Sequence, residues 1–278
     1  MNEQTSTEAN RRSDRKLALI TGASAGIGEA FARAYAARGC DLALVARRGD
    51  RLDTLGAELA SAHGIEAFAI PADLAVFDAH KPILKAVTDR GRHVDILVNN
   101  AGFGIPQSFT GVSWERQRDF LMTLAVSPCG LAYGVIPGMV ERGHGAIINV
   151  ASMAGFSPGV AGNTLYPGAK SLMIKFSQAL DAEYRAKGLK ITAICPGSTT
   201  SEFASQAGIQ EIMDSGPKLP SQTAEAVVEA AITGNGRGKV VAIPGAHNKI
   251  AAVLMRHLPE VWVRSIIGAG SARFHLGE

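Results

Sequence analysis

The chain has 278 residues, 46% apolar and 19% charged, enough apolar material for the core of one α/β domain. Its 28 Lys and Arg against 25 Asp and Glu leave a net charge of +3, scattered rather than gathered in a stripe, so no nucleic-acid partner is expected. Cys40, Cys129 and Cys195 are odd in number, far apart and free of any C-x-x-C, which argues against a disulfide framework or zinc ribbon and fits a reducing, cytoplasmic setting.

Residues 1–15 are polar, with no apolar run for a secretory signal, and read as a disordered leader. From residue 16 onward, short Val/Ile/Leu-rich runs alternate with longer amphipathic segments. Strands are predicted at 16–21, 41–46, 65–70, 95–100, 145–152 and 189–197, with a seventh at 239–245. Helices are predicted at 29–39, 50–64, about 77–91, 113–142 and 164–187. Near-continuous apolar strands separated by helices imply a doubly wound parallel sheet of about seven strands, covered on both faces. Residues 16–245 are therefore read as one domain. Residues 246–278 form a helical extension packed on that domain or on a partner subunit. Within it, Arg256, His257, Glu260 and Arg264 interrupt the apolar residues at helical intervals. That pattern favours an amphipathic helix pair over a membrane span, and its apolar face reads as core or dimer contact before surface attachment to lipid.

The segment after the first strand runs Thr21-Gly22-Ala23-Ser24-Ala25-Gly26-Ile27-Gly28 and leads directly into a helix. Gly22, Gly26 and Gly28 allow a tight turn and close approach to a pyrophosphate at the helix N-terminus, with Ser24 and Ile27 beside it. The same letters spell G-x-S-x-G, the nucleophile elbow of a serine hydrolase, but only 21 residues precede Gly22 and none resembles an oxyanion loop. At the end of strand two, where an NAD site commonly carries an acid, stand Ala46, Arg47 and Arg48. Guanidinium groups there suit a 2′-phosphate, so the expected cofactor is NADP(H), with Arg47 the stronger of the two choices.

Ala72-Asp73-Leu74, Asn99-Asn100-Ala101-Gly102, Ser152, Tyr166-Pro167-Gly168-Ala169-Lys170 and Pro196-Gly197 each follow a predicted strand. With the glycine turn, in this order over residues 16–203, they resemble the short-chain dehydrogenase/reductase family, and CPGSTTSEF with a helical tail resembles its NADP-preferring branch. The resemblance implies a Rossmann-like fold with sheet order 3-2-1-4-5-6-7 and a homodimer or homotetramer.

Tyr166 and Lys170 are four apart and share a helix face. A nearby ammonium is expected to lower the phenol pKa from about 10, so that the phenol protonates a carbonyl oxygen. Ser152, 14 residues before Tyr166, is expected to polarise that carbonyl. By resemblance, Lys170 also holds the nicotinamide ribose, and Asp73 and Leu74 hold the adenine. Asn99, Ala101 and Gly102 shape the adenosine pocket, with Asn99 equally suited to fastening strand four to its neighbours. Pro196 and Gly197 lead to Thr199, placed at the carboxamide or the phosphates with Thr200 as its rival.

Two features depart from the family pattern, the helix after strand four and the Pro167-Gly168 pair that follows Tyr166. The helix after strand four lacks the asparagine that supports a water chain to the lysine, leaving Leu124 or Ala125 in its place, and Pro128 is expected to kink that helix. The substrate region (Phe103–Gly111, Met153–Thr164 and a lid at Phe203–Pro220) is rich in Phe103, Phe109, Phe156, Phe203, Ile209, Ile212 and Met213. A hydrophobic ketone or alcohol is therefore expected. Against an NADPH-dependent oxidoreductase stand two alternatives: a serine hydrolase using Ser24, and a catalytically weak NADP(H)-binding protein.

Overall fold

The computed structural model describes residues 15–159, 161–162, 164–200 and 221–271, with backbone alone at Thr200 and 266–271. Residues 1–14 of the predicted leader, the lid at 203–220 and residues 272–278 lie outside the described residues.

Apolar runs become strands where both faces can be covered. β1 (Leu17–Thr21) is buried at every position, and β2 (Asp41–Ala46) at all but its last. β3 (Ala67–Pro71), β4 (Ile96–Asn99), β5 (Gly145–Val150) and β6 (Leu189–Ile194) follow. β7 (Thr199–Thr200) and β8 (Gln222–Thr223) form a separate parallel pair, and β9 (Val241–Ala242) completes the main sheet. Among the described residues that sheet has seven parallel strands in the order β3-β2-β1-β4-β5-β6-β9. This is the expected order, with β9 as the seventh strand.

Strand alternation divides the core between two faces. Ile20, Leu44, Val98 and Ile148 meet α1 (Gly26–Ala36), α2 (Gly49–His63) and α7 (Ala224–Gly236). Leu19, Val45, Leu97 and Ile147 meet α3 (His80–Thr88), α5 (Ser127–Glu141) and α6 (Tyr166–Tyr184). α4 (Trp114–Leu121) precedes α5.

Between α4 and α5 the segment Met122–Val126 forms a π turn, closed by the Ser127 N–H donating to the Met122 carbonyl. The kink expected at Pro128 is absorbed there. Pro128 falls in the first turn of α5, just after the ladder has widened, where its missing N–H costs least. The run Trp114–Glu141 is apolar and long enough to cross a membrane by composition alone, yet Leu124, Leu131, Ile136 and Met139 are buried against the rest of the fold.

The predicted third strand begins two residues late, at Ala67. The predicted first helix begins three residues early, at Gly26. α7 was not foreseen: its N-cap Thr223 accepts from the Ala226 N–H, and it buries Val227, Val228 and Ala231. After β9, α8 (Ala246–His257) and α9 (Glu260–Ser271) are separated by Leu258 and Pro259.

Candidate active site

The loops leaving the C-terminal ends of the strands enclose a cleft of about 690 Å3. Gly22, Ser24, Gly26, Ile27, Arg47 and Arg48 line it, as do Asp73, Leu74, Ala101 and Gly102. Ser152, Tyr166, Lys170, Pro196, Gly197 and Thr199 stand on the same wall.

Gly22 has φ +69°, and a Cβ on it would lie 2.7 Å from Asn100 Nδ2 and 2.9 Å from Ala101 Cα. No larger residue fits that turn. α1 starts behind it with Ala25 as N-cap and no side chain capping its N–H groups. A helix N-terminus left uncapped beside Gly22 and Gly26, at the wall of an open cleft, suits the pyrophosphate of a dinucleotide. Gly28 is off the cleft wall. A Cβ there would lie 2.1 Å from the Gly22 carbonyl oxygen, so its role is close packing within the turn.

Of the two arginines, Arg48 is the one that is held. Its Nη2 donates to Ser24 Oγ (2.9 Å) and to the Ser24 carbonyl (3.3 Å), and its Nε to the same Oγ (3.3 Å). Arg47 also reaches the cleft but is exposed. Arg48 is thus fixed beside the turn, while Arg47, the stronger expectation, lines the cleft with its side chain exposed. Ser24 Oγ accepts from a guanidinium, and no histidine lines the cleft among the described residues, which leaves a Ser24 nucleophile without a base.

Asn99 turns away from the cleft, a correction to its place in the cofactor pocket. Its Nδ2 donates to Asn149 Oδ1 (2.9 Å) and to the Pro128 carbonyl (3.3 Å), while Asn149 Nδ2 donates to Ser177 Oγ (2.8 Å). This is the fastening role, tying β4 to β5, α5 and α6. Asn100 lines the cleft instead, with Nδ2 donating to the carbonyls of Thr21 (2.9 Å) and Gly22 (3.4 Å). Strand parity carried that signal: Leu97 and Asn99 share the face that meets α5, and Val98 and Asn100 the other. Asp73 Oδ1 accepts from the Ala75 N–H (3.0 Å), and the Leu74 carbonyl accepts from Ser127 Oγ (2.7 Å), which fixes this edge of the wall. Thr199 Oγ1 donates to the Gly197 carbonyl (3.3 Å).

Ser152 caps the 3-10 turn Met153–Phe156, its Oγ accepting from the Ala154 N–H (3.1 Å). Tyr166 opens α6, with Pro167 tolerated in the first turn, and Lys170 lies one turn on. Lys170 Nζ donates to the Val150 carbonyl (2.8 Å) and lies 5.6 Å from the Tyr166 ring centroid. Burial pushes the Lys170 pKa down to about 8. Burial raises that of Tyr166, opposed by a hydrogen bond with the Ser152 side chain. The lowering expected from Lys170 is not among the causes that set this direction, and the Lys170 ammonium is held by the Val150 carbonyl.

Leu124, not Ala125, reaches the cleft wall. Its Cγ lies 3.4 Å from where a Gly102 Cβ would stand, and it packs with Ile105, Phe120 and Ala169. The substrate-side wall carries the apolar Phe103, Ile105, Pro106 and Leu124 together with the polar Arg116, Asp119 and Thr123, the Arg116 guanidinium lying 4.1 Å from the Phe103 ring centroid. Phe109 and Phe156, expected there, are not on the wall: Phe109 faces solvent and Phe156 lies under Arg256.

An uncapped helix N-terminus at a glycine turn and a Ser–Tyr–Lys group, sharing one cleft over a parallel sheet, define a dinucleotide-dependent oxidoreductase fold. A family model described as short chain dehydrogenase matches residues 16–212. The chain is 32% identical over 219 residues to a very-long-chain 3-oxoacyl-CoA reductase of Anas platyrhynchos, covering 77% of this chain and 67% of that protein. Reductases of the same name are matched elsewhere over 60–61% of their length, so this chain spans about two thirds of these relatives or less. Among solved structures it is similar to a short-chain dehydrogenase from Sphingobium yanoikuyae in complex with NADPH, with TM-score 0.74, 33% identity and coverage of 92% and 94%. It is also similar to a bulky-bulky ketone specific alcohol dehydrogenase from Comamonas testosteroni, with TM-score 0.71, 27% identity and coverage of 95% of both chains. The chain belongs to the short-chain dehydrogenase family.

Proposed function

We propose that the protein reduces a hydrophobic carbonyl compound using NADPH. The observation that carries this reading is the convergence of Ser152, Tyr166 and Lys170 on the cleft that Arg48 and the uncapped start of α1 also line. NADPH, when bound, supplies the hydride. The N–H groups at the start of α1 hold its pyrophosphate, and Arg48, with Arg47 as a second contact, holds the 2′-phosphate. Ser152 donates a hydrogen bond to the substrate oxygen. Tyr166, protonated at neutral pH as an ordinary phenol is, gives its proton to the same oxygen as negative charge develops there. Lys170 holds the ribose and favours that proton loss by its charge.

The apolar side chains of that wall support a hydrophobic substrate, as do the substrates for which two relatives are named, a very-long-chain 3-oxoacyl-CoA and a bulky ketone. Reduction of 3-oxoacyl thioesters and bulky aryl ketones, with little turnover of polar sugars, is the expected outcome of NADPH-oxidation assays. Turnover of sugars alone would overturn the substrate class. Leu124 in place of a water-holding asparagine favours a second reading, a weakly catalytic NADP(H)-binding protein, for which NADPH binds but no carbonyl compound turns over. A homo-oligomer belongs to the first reading, with Val126, Tyr133 and Leu172 exposed on one helical layer.

A further inference from the structure

We propose that α8 and α9 form an interfacial element that docks on an anionic phospholipid surface. α8 is seated on the fold by Asn248 and Ala252, which are four residues apart and both buried. On the opposite arc of the helix stand Ile250, Val253, Leu254 and His257, at the spacing of a single stripe. Ile250 is 63% exposed and Val253 55%. α9 is seated by Val263 and leaves Val261 and Trp262 exposed, at 72% and 62%. The Lys249 and Arg256 side chains border the stripe on one flank, and Arg264 adds a third cation against the single acid Glu260. Apolar side chains rimmed by cations, with an exposed tryptophan, match a helix lying in the headgroup region.

Charge selects this occupant over a second copy of the chain. A self-complementary contact would bring the same basic rim against itself, whereas acidic headgroups neutralise it. The location adds a consequence. α8 packs on the Met153–Phe156 turn that follows Ser152, and the Arg256 guanidinium lies 4.5 Å from the Phe156 ring centroid. Docking would hold the end of the cleft that carries Ser152 near the lipid in which an apolar substrate dissolves. The docking itself does not depend on the proposed reaction.

The full chain is mixed with sucrose-loaded vesicles of phosphatidylcholine, with and without about one quarter phosphatidylglycerol, and sedimented. Sedimentation with the anionic vesicles, weakening as salt is raised, is expected. In the double variant Leu254→Ser with Trp262→Ala, the partition coefficient should fall roughly tenfold or more. NADPH affinity and elution volume of that variant should match the parent, because neither side chain is buried. Three results would overturn the proposal: no sedimentation with anionic vesicles, sedimentation undiminished in the variant, or an oligomer that the variant dissociates.

Discussion

A phenol is protonated at neutral pH and so can give a proton rather than take one; burial, which raises the Tyr166 pKa, makes it a weaker donor unless charge nearby offsets the shift. Tyr166→Phe keeps the ring and removes the donor, so turnover should fall by about 10²- to 10⁴-fold while the NADPH dissociation constant moves less than about twofold. Lys170 titrates at about 8, below the ordinary lysine value, so its ammonium is present below that pH and lost above it. The pH profile of kcat/KM for NADPH should decline above about pH 8, and a plateau reaching about pH 10 would contradict the assignment. Arg48→Ala should weaken NADPH binding by about 10- to 150-fold, the range of one charge-assisted hydrogen bond, and Arg47→Ala by less. Titration of NADPH fluorescence measures both. That Ser152, Tyr166 and Lys170 share one cleft was legible from the resemblance, with the i, i+4 spacing of Tyr166 and Lys170 adding a common helix face. That Arg48 rather than Arg47 reaches back across the turn to Ser24 was not legible, and the raised Tyr166 pKa depends on burial that no motif encodes.

The helix from α4 to α5 shows how an element absorbs a local conflict. Its π turn at Met122–Val126 accommodates Pro128 and presents Leu124 to the cleft. Leu124 offers no polar group to a water beside Lys170, so proton supply to Tyr166 should limit turnover. The solvent isotope effect should then exceed that of deuterated NADPH, and Leu124→Asn should raise turnover. A dominant cofactor isotope effect with no gain in the variant would show Leu124 to be mechanistically silent. The Asn99–Asn149–Ser177 chain lies between the elements that carry the site. Asn149→Ala should lower stability by about 1–3 kcal/mol in denaturant titrations, since it removes a buried hydrogen bond from each of Asn99 and Ser177, leaving Asn99 on the Pro128 carbonyl and Ser177 on the Met173 carbonyl. The long apolar strands and amphipathic helices were legible from periodicity. β7 and β8 have two residues each, too few to show a period, and α7 is an alanine- and glycine-rich helix whose apolar stripe is faint.

For the whole molecule, strand order and site position are a single fact. A parallel sheet wound both ways from β1 sends β2 and β4 to opposite sides, and the crevice opens beyond the carboxyl ends of those strands. The near-continuous apolar strands made the parallel sheet legible, while the order of the strands came from the resemblance rather than from pattern. Saturating NADPH should stabilise the native state by about 2.7 kcal/mol at a hundredfold excess over its dissociation constant, seen as a rise in Tm, and NADH at the same concentration should raise it less. The most direct measurement of the central claim is isotope transfer: NADPH deuterated at the reactive carbon is incubated with the protein and a hydrophobic ketone, and the alcohol is weighed by mass spectrometry. Incorporation of one deuterium at the former carbonyl carbon by the parent chain, and none above background by Tyr166→Phe, is the predicted result. An unlabelled alcohol, or equal labelling by the two proteins, would contradict it.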